Sequence, residues 1–399
     1  MSSTSLRRAL VALGILVLGA NLRAALTTVG PLLDDVRGDL QLSATTASAL
    51  ISLPLLCFAG FSPVAPVLAR RLGLERTLGA ALAVLAGGIV LRSVPWLPGL
   101  WLGTILLGCA VATLNVLLPA LVKRDFPHAV GRTTGAYSVA QSLFAALGAG
   151  IAVPVAGTTE HGWRLAFGMW AGLAVIGLAV FAPQLTRRTL PPEPAVARGP
   201  SPWRSLRAWQ VTLFMGTQSV LYYTIITWWP TVEESHGVSG AAAGAHQSVL
   251  QVFGILGNVT AAWAIQRWHR DQRGIAVLTV LPAIVGIVGE LAAPGLSLLW
   301  CALLGLATGG TIVLALALFG LRTRDHDTSA ALSGMAQSAG YLIAAAGPLA
   351  IGALHDASGA WTLPLIILLA LQAVQLVTSW LASRPGTIES DLAGLAETP

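Results

Sequence analysis

Charge is what this sequence has least of. Asp, Glu, Lys and Arg together make 10% of its 399 residues, against about 25% in an ordinary soluble protein. With 55% of the chain hydrophobic, that shortage excludes a water-soluble fold. Cysteine is scarce too. Cys57, Cys109 and Cys301 all sit inside apolar runs at no metal-ligand spacing, so neither a disulfide framework nor a metal site is expected. No basic cluster is interleaved with aromatics, so the net charge of +6 does not indicate a nucleic-acid partner. Walker-type phosphate loops, dinucleotide fingerprints, HExxH motifs and nucleophile elbows are missing. That leaves no basis for an enzyme, a bound cofactor or ATP-driven transport.

Apolar runs fill the chain instead. Stretches near or above the ~20 residues that cross a bilayer occur at 9–33, 44–69, 75–94, 98–122, 133–157, 163–183, 208–231, 241–266, 274–292, 296–320, 328–353 and 361–382. Strand-type alternation and long soluble insertions are both missing, so the expected fold is an all-α integral membrane protein with twelve transmembrane helices. Arg7 and Arg8 before "ALVALGILVLGA" have the look of a secretory signal. The run continues past Arg23 to Leu33, however, and is read as the first membrane helix. With both termini cytoplasmic, Arg37, Arg92 and Arg164 fall outside, Arg23 lies within the membrane, and the other 19 of the 23 basic residues fall inside. The reverse orientation would invert a strong positive-inside bias. A multi-pass protein of the cytoplasmic (inner) membrane is expected, in contact with lipid and monomeric.

One break stands out. "TRRTLPPEPAVARGPSPWRSLRA" is rich in proline and arginine and cannot form a membrane helix. It separates an N-terminal bundle, 1–185, from a C-terminal bundle, 208–399, through a cytoplasmic linker, 186–207. The halves resemble each other. "GPLLDD" at Gly30–Asp35 returns as "WPTVEE" at Trp229–Glu234, and Ala140-Gln141-Ser142 returns as Ala336-Gln337-Ser338, at offsets of 199 and 196 residues. Six plus six helices related as parallel repeats describe a transporter built from two bundles.

Within the first run, "VLGANLRAALTTVG" places Asn21 and Arg23 well inside the apolar stretch. An arginine at that depth costs roughly 2.5–3.5 kcal/mol on insertion scales. It lies ~15 Å from the outer end of its helix at 1.5 Å per residue, too far to snorkel easily. No carboxylate is expected near the bilayer centre; Asp34, Asp35, Glu160, Glu233, Glu234, Glu290 and Asp356 sit in loops or at helix ends. An anionic or strongly polarised substrate is therefore the expected counter-ion of Arg23. Thr27 shares its face, with Gly19 and Ala20 leaving room, whereas Asn21 points elsewhere and is open to an interhelical role. The other polar candidates are Asn115, Tyr137 and Gln141 in the first half, and Gln218, Tyr222, Gln337 and Tyr341 in the second. Each amide could equally be interhelical glue. Together, neutral amides and aromatic hydroxyls around one arginine suit a small polar anion. His246, the side chain in a helix core with an ordinary pKa near neutrality, is the candidate for proton coupling.

The two-half layout resembles the major facilitator superfamily. Its usual Gly-x-Leu-Ala-Asp-Arg-x-Gly-Arg-Arg loop is represented by "PVLARRLGLER", where Arg70 stands in the place of the Asp, followed by Arg71 and Gly73. That departure sets the chain apart from the usual Asp-based cytoplasmic gate. "NLRAALTTVGPLL", "NVLLPALVKRDFP", "TGAYS", "FGLRTRD" and "ALSGMAQSAGYLIAAAGPLAIGALHDASG" are similar to the cyanate permease and 2-nitroimidazole transporter family within that superfamily. The resemblance implies transport of a small molecule, cyanate-like or nitroimidazole-like, with Asn21 and Arg23 part of the matched pattern. The alternative is a polyspecific drug exporter of the same fold.

Overall fold

In a computed structural model that describes residues 3–127, 129–186, 189, 201–268, 271–324 and 326–391, the apolar runs are helices and no strand occurs among the described residues. Helices satisfy every backbone group internally, which a bilayer demands. The first half of the chain forms α1 (Ser3–Asn21), α2 (Ala24–Thr27), α3 (Leu33–Leu40), α4 (Ala44–Phe61), α5 (Val64–Leu72), α6 (Leu74–Ser93), α7 (Leu97–Asp125), α8 (Val130–Gly150), α9 (Ala152–Ala156), α10 (Gly162–Gly168) and α11 (Trp170–Phe181). The second half forms α12 (Leu206–Ser235), α13 (Gly240–Arg267), α14 (Arg273–Ala292), α15 (Ser297–Leu321), α16 (His326–Ser358) and α17 (Thr362–Ala382). Most of the linker, residues 187–188 and 190–200, lies outside the described residues.

Among the described residues, ten segments are long and apolar enough to cross a membrane. The expected fifth and seventh spans correspond to α8, of 21 residues, and α12, of 30 residues. Both are long enough but too polar to stand out by apolarity. They are also the helices that carry Tyr137 and Gln141, and Gln218 and Tyr222. Four expected spans are divided. The second divides at Pro63, which sits at the N-cap of α5, the fifth at Ile151 between α8 and α9, the sixth at Met169 between α10 and α11, and the first at Leu22–Arg23, as described below.

The chain resolves into two compact units. The first is Met1–Leu42, Ala49–Pro192 and Ser239–Ser248; the second is Ser43–Ser48, Glu193–Val238 and Val249–Pro399. Close backbone approach sets the packing inside each. In the first unit, a Cβ on Gly103 of α7 would lie 2.5 Å from the Gly88 carbonyl oxygen of α6, and one on Gly19 of α1 would lie 2.9 Å from the Tyr137 carbonyl oxygen of α8. The Ser248 hydroxyl donates to the Ala146 carbonyl at 2.7 Å. In the second unit, Gly257 on α13 and Gly305 and Gly309 on α15 form one seam. Cβ atoms there would lie 2.2, 2.3 and 2.0 Å from the carbonyl oxygens of Leu306, Leu250 and Gly254. The Asp356 carboxylate accepts from the backbone N–H groups of Ala44 (3.0 Å) and Thr45 (2.9 Å), two donors that an α-helix leaves orphaned at its start.

At the other end of α6, Glu75 is fully buried. It accepts from the Arg124 guanidinium, from the Thr189 N–H at 3.0 Å and from the Thr189 hydroxyl at 2.7 Å. The acid missing at position 70 thus has a counterpart five residues on, tying the start of α6 to the end of α7.

Candidate functional site

The first membrane segment is not one continuous helix. Helix α1 ends at Asn21, and Arg23 stands at the N-cap of α2 with φ −132° and ψ −25°. The Leu22 N–H bonds to Gly19 at i−3, and the Arg23 carbonyl accepts from the N–H groups of Leu26 and Thr27, starting a new helical turn. Neither proline nor glycine occupies the break. Side chains compete for the carbonyls instead. The Asn21 amide donates to Val17 at 2.8 Å, and the Thr28 hydroxyl to Ala24 at 2.8 Å. A third competitor is Arg92, whose Nη2 donates to the Ala25 carbonyl at 2.8 Å.

Arg92 is expected on the outer side of the membrane. It is fully buried, with its guanidinium 4.5 Å from the Phe167 ring centroid. No acid pairs with it among the described residues, and its Nε and Nη1 have no hydrogen-bond partner. Position 92 lies at the end of an apolar run, where the sequence offers no sign of burial.

Arg23 itself is half-buried, and its side chain makes no capping bond. The neighbouring candidates divide. Asn21 is 3% exposed and donates also to the Leu173 carbonyl of α11 at 3.3 Å, so its amide serves as an interhelical tie. Thr27 is fully buried, and its hydroxyl lies 2.8 Å from the Ala145 carbonyl of α8 and 3.2 Å from the Arg23 carbonyl. Helices α1 and α8 run parallel: Gly19 meets Tyr137 and Thr27 meets Ala145, each 118 positions apart. The same offset brings Gln141 to the level of Arg23. Gln141 and Tyr137 are half-buried, and Asn115 is exposed on α7.

In the second unit, the 199-residue repeat offset carries Arg23 to Tyr222. The Tyr222 hydroxyl meets the Gln251 amide at 3.4 Å. The Tyr222 and Tyr223 rings are 5.1 Å apart, and Tyr223 lies 6.5 Å from Tyr341 of α16. Gln251 and Tyr223 thus join Tyr222 and Tyr341 in one cluster. Gln218 is 2% exposed and donates to the Met215 carbonyl and the Ser219 hydroxyl, at 3.1 and 2.7 Å. Gln337 donates to the Ser333 hydroxyl at 2.9 Å. These two amides are satisfied within their own helices. His246 is half-buried on α13, within the stretch that belongs to the first unit.

A helix broken at an intramembrane arginine, beside a helix bearing an amide at the same level, is the architecture of a transporter half. The profile of the Major Facilitator Superfamily matches residues 12–348. The chain belongs to that superfamily, within the group that holds the cyanate and 2-nitroimidazole transporters. It is 42% identical over 371 residues to the 2-nitroimidazole transporter of Escherichia coli (strain K12), covering 91% of this chain and 93% of that one. Against the cyanate transport protein CynX of the same organism it is 26% identical, covering 86% and 90%. Its fold is similar to the inward open structure of the xylose transporter XylE from E. coli, with a TM-score of 0.76, 15% identity, and coverage of 97% and 98%. The protein is a multi-pass membrane transporter for small molecules.

Proposed function

We infer that this protein is a secondary transporter for a small anion or polar heterocycle, working as a monomer by alternating access, with Arg23 holding the substrate. The observation that carries this reading is the placement of Arg23 at a non-helical residue that interrupts the first membrane helix. Such breaks free backbone groups and create room for a ligand at mid-membrane depth. Gln141, Tyr137 and Asn115, in the same unit as Arg23, supply neutral donors and acceptors. The transport of 2-nitroimidazole and cyanate by relatives supports a substrate of this size and polarity. Uptake of labelled 2-nitroimidazole, cyanate and a lipophilic cation into vesicles tests the reading. Saturable uptake of either of the first two is expected, and uptake of the cation alone would favour the exporter.

The polyspecific exporter gains one observation, the burial of Glu233 and Glu290. Cation exporters use buried carboxylates. Glu233, however, lies 11 residues from Tyr222 along α12, about 16 Å at 1.5 Å per residue, so it is not part of the tyrosine cluster.

Both termini are placed in the cytoplasm on the arginine distribution. In a background lacking the native cysteines, Ser201→Cys should react only with a thiol reagent that enters the cell, and Ser239→Cys with one that stays outside. The reverse pattern would overturn the orientation. A monovalent anion entering a negative-inside cell works against about 2.3 kcal/mol per 100 mV. Accumulative uptake therefore needs a compensating cation, whereas export needs none.

A further inference from the structure

The short turn that follows Arg23 departs from a regular helix at its end as well as its start. In an unbroken α-helix the Ala25 carbonyl would accept from the Val29 N–H, four residues on. Here the Val29 N–H donates to the Leu26 carbonyl at 3.2 Å, and the Ala25 carbonyl accepts from Arg92 Nη2 of α6 at 2.8 Å. Pro31 does not account for this exchange. The N–H that a proline lacks at position 31 would have reached Thr27, not Ala25. On its other side the same turn is held by α8, where the Thr27 hydroxyl lies 2.8 Å from the Ala145 carbonyl. All four residues of α2 are buried.

Arg92 is itself held in place. A Cβ on Gly103 of α7 would lie 2.7 Å from the Arg92 Cβ, so α7 closes over the base of the side chain. At the far end the guanidinium lies over the Phe167 ring of α10, a favourable cation–π placement. The acids of α3 are engaged elsewhere or exposed. Asp39 accepts from Trp163 and Arg164, Asp34 accepts from Arg37, and Asp35 is exposed. The Ala25 carbonyl is the one hydrogen-bond acceptor of Arg92 among the described residues, since Nε and Nη1 are buried without a partner. Those two nitrogens are covered, so no transported molecule touches them in this arrangement. Arg92 therefore acts on the first membrane segment through a backbone carbonyl, not as a second anion site.

A charged donor makes a stronger hydrogen bond to a carbonyl than a neutral N–H does. Were the Ala25 carbonyl to return to the helix ladder, the guanidinium would stay buried with no acceptor at all, a costly state. The interrupted turn and the buried arginine thus hold each other. Arg23 stands at the N-cap of this turn, and its carbonyl accepts from Leu26 and Thr27. Where the turn sits therefore decides where the Arg23 side chain begins. We propose that Arg92 is a positioning residue: its bond to Ala25 braces the single turn of α2, and the brace holds Arg23 where the substrate meets it. Ala25, Arg92, Gly103 and Phe167 all lie in the first unit, with Arg23.

The effect on substrate rests on the reading of Arg23 given above, but the brace can be measured without it. Arg92→Met keeps an unbranched side chain and removes every donor. In nanodiscs, its amide hydrogen exchange should rise over residues 24–32 and stay native over residues 103–121. Unchanged exchange over 24–32 overturns the brace, whatever the protein transports. Substrate affinity is the second readout. Binding of 2-nitroimidazole or cyanate should weaken about tenfold or more in Arg92→Met. The melting temperature and the maximal rate of substrate exchange at saturation should stay native. Arg92→Lys, whose ammonium keeps a charged donor, should restore most of the affinity. If Arg92→Met does not fold, Arg92→Gln carries the same readouts, because its amide ends two bonds short of the guanidinium nitrogen. Three results overturn the positioning role: native affinity in the variant without a donor, affinity that falls only in step with the folded fraction, and a changed preference between the two substrates, which would mean that Arg92 touches them. A native protein that binds neither compound would sink the Arg23 reading and the positioning role with it, and leave the brace standing.

Discussion

Replacing Arg23 with alanine should abolish saturable binding of the transported anion or nitro-heterocycle while the protein remains folded. The break at Leu22–Arg23 is made by backbone bonds from Leu22, Leu26 and Thr27, and by the side chains of Asn21, Thr28 and Arg92. The Arg23 side chain makes no capping bond to α2, and those bonds are made by other groups. The ligand loses much more. A hydrogen bond to a charged group is worth about 1.5–3 kcal/mol, so a two-pronged contact accounts for a loss of about a hundredfold or more. Arg23→Lys should rescue little, because a lysine ammonium lacks the planar fork of guanidinium. Binding measured by calorimetry, alongside size-exclusion profiles and melting temperatures, separates the cases. If Arg23→Ala fails to fold and Arg23→Lys restores both folding and binding, Arg23 is a structural residue.

The largest effect on stability is expected at Gly309. A Cβ there would stand 2.0 Å from the Gly254 carbonyl oxygen and 2.8 Å from its carbon. These are backbone atoms and cannot rotate aside. Gly305 and Gly257 are equally close to the facing helix, so α13 and α15 cannot separate at one point without opening the seam on both sides. Overpacking a core ordinarily costs about 1–3 kcal/mol, and Gly309→Val should exceed that range because no side-chain rotamer relieves the clash. Detergent-solubilised yield should collapse and the melting temperature of any remainder should fall. Gly320→Val, on the same helix with nothing within 4 Å of its Cβ, is the matched control and should behave as native. Equal yield and melting for the two variants would show that the seam is looser than described.

Much of this was legible in the sequence because apolar length and charge placement are properties of the chain itself. The apolar runs mark where the helices lie, and the 199-residue offset relates the two halves before any contact is known. Arg23 announces itself by its cost in lipid. Directions within the bundle were not legible. Asn21 and Thr27 lie close to Arg23 in the sequence, yet Asn21 donates to α11 and Thr27 to α8, which only the packing decides. The break at Arg23 carries no proline or glycine, since its cause is side-chain competition for carbonyls. Glu233 and Glu290 read as helix-end acids, and Arg92 as an outer arginine, because position along a helix says nothing of what covers its end. The polar helices α8 and α12 show the same gap from the other side: the residues that dilute their apolarity include Tyr137, Gln141, Gln218 and Tyr222.

Arg23 is the proposed counterpart of the substrate. A structure of the protein with 2-nitroimidazole or cyanate bound, whichever the uptake measurements select, tests this most directly. The ligand should lie at the break after Asn21, with its most negative atom within hydrogen-bond distance of the Arg23 guanidinium and the Gln141 amide close by. A ligand bound elsewhere, with the Arg23 side chain turned away from it, would contradict the account.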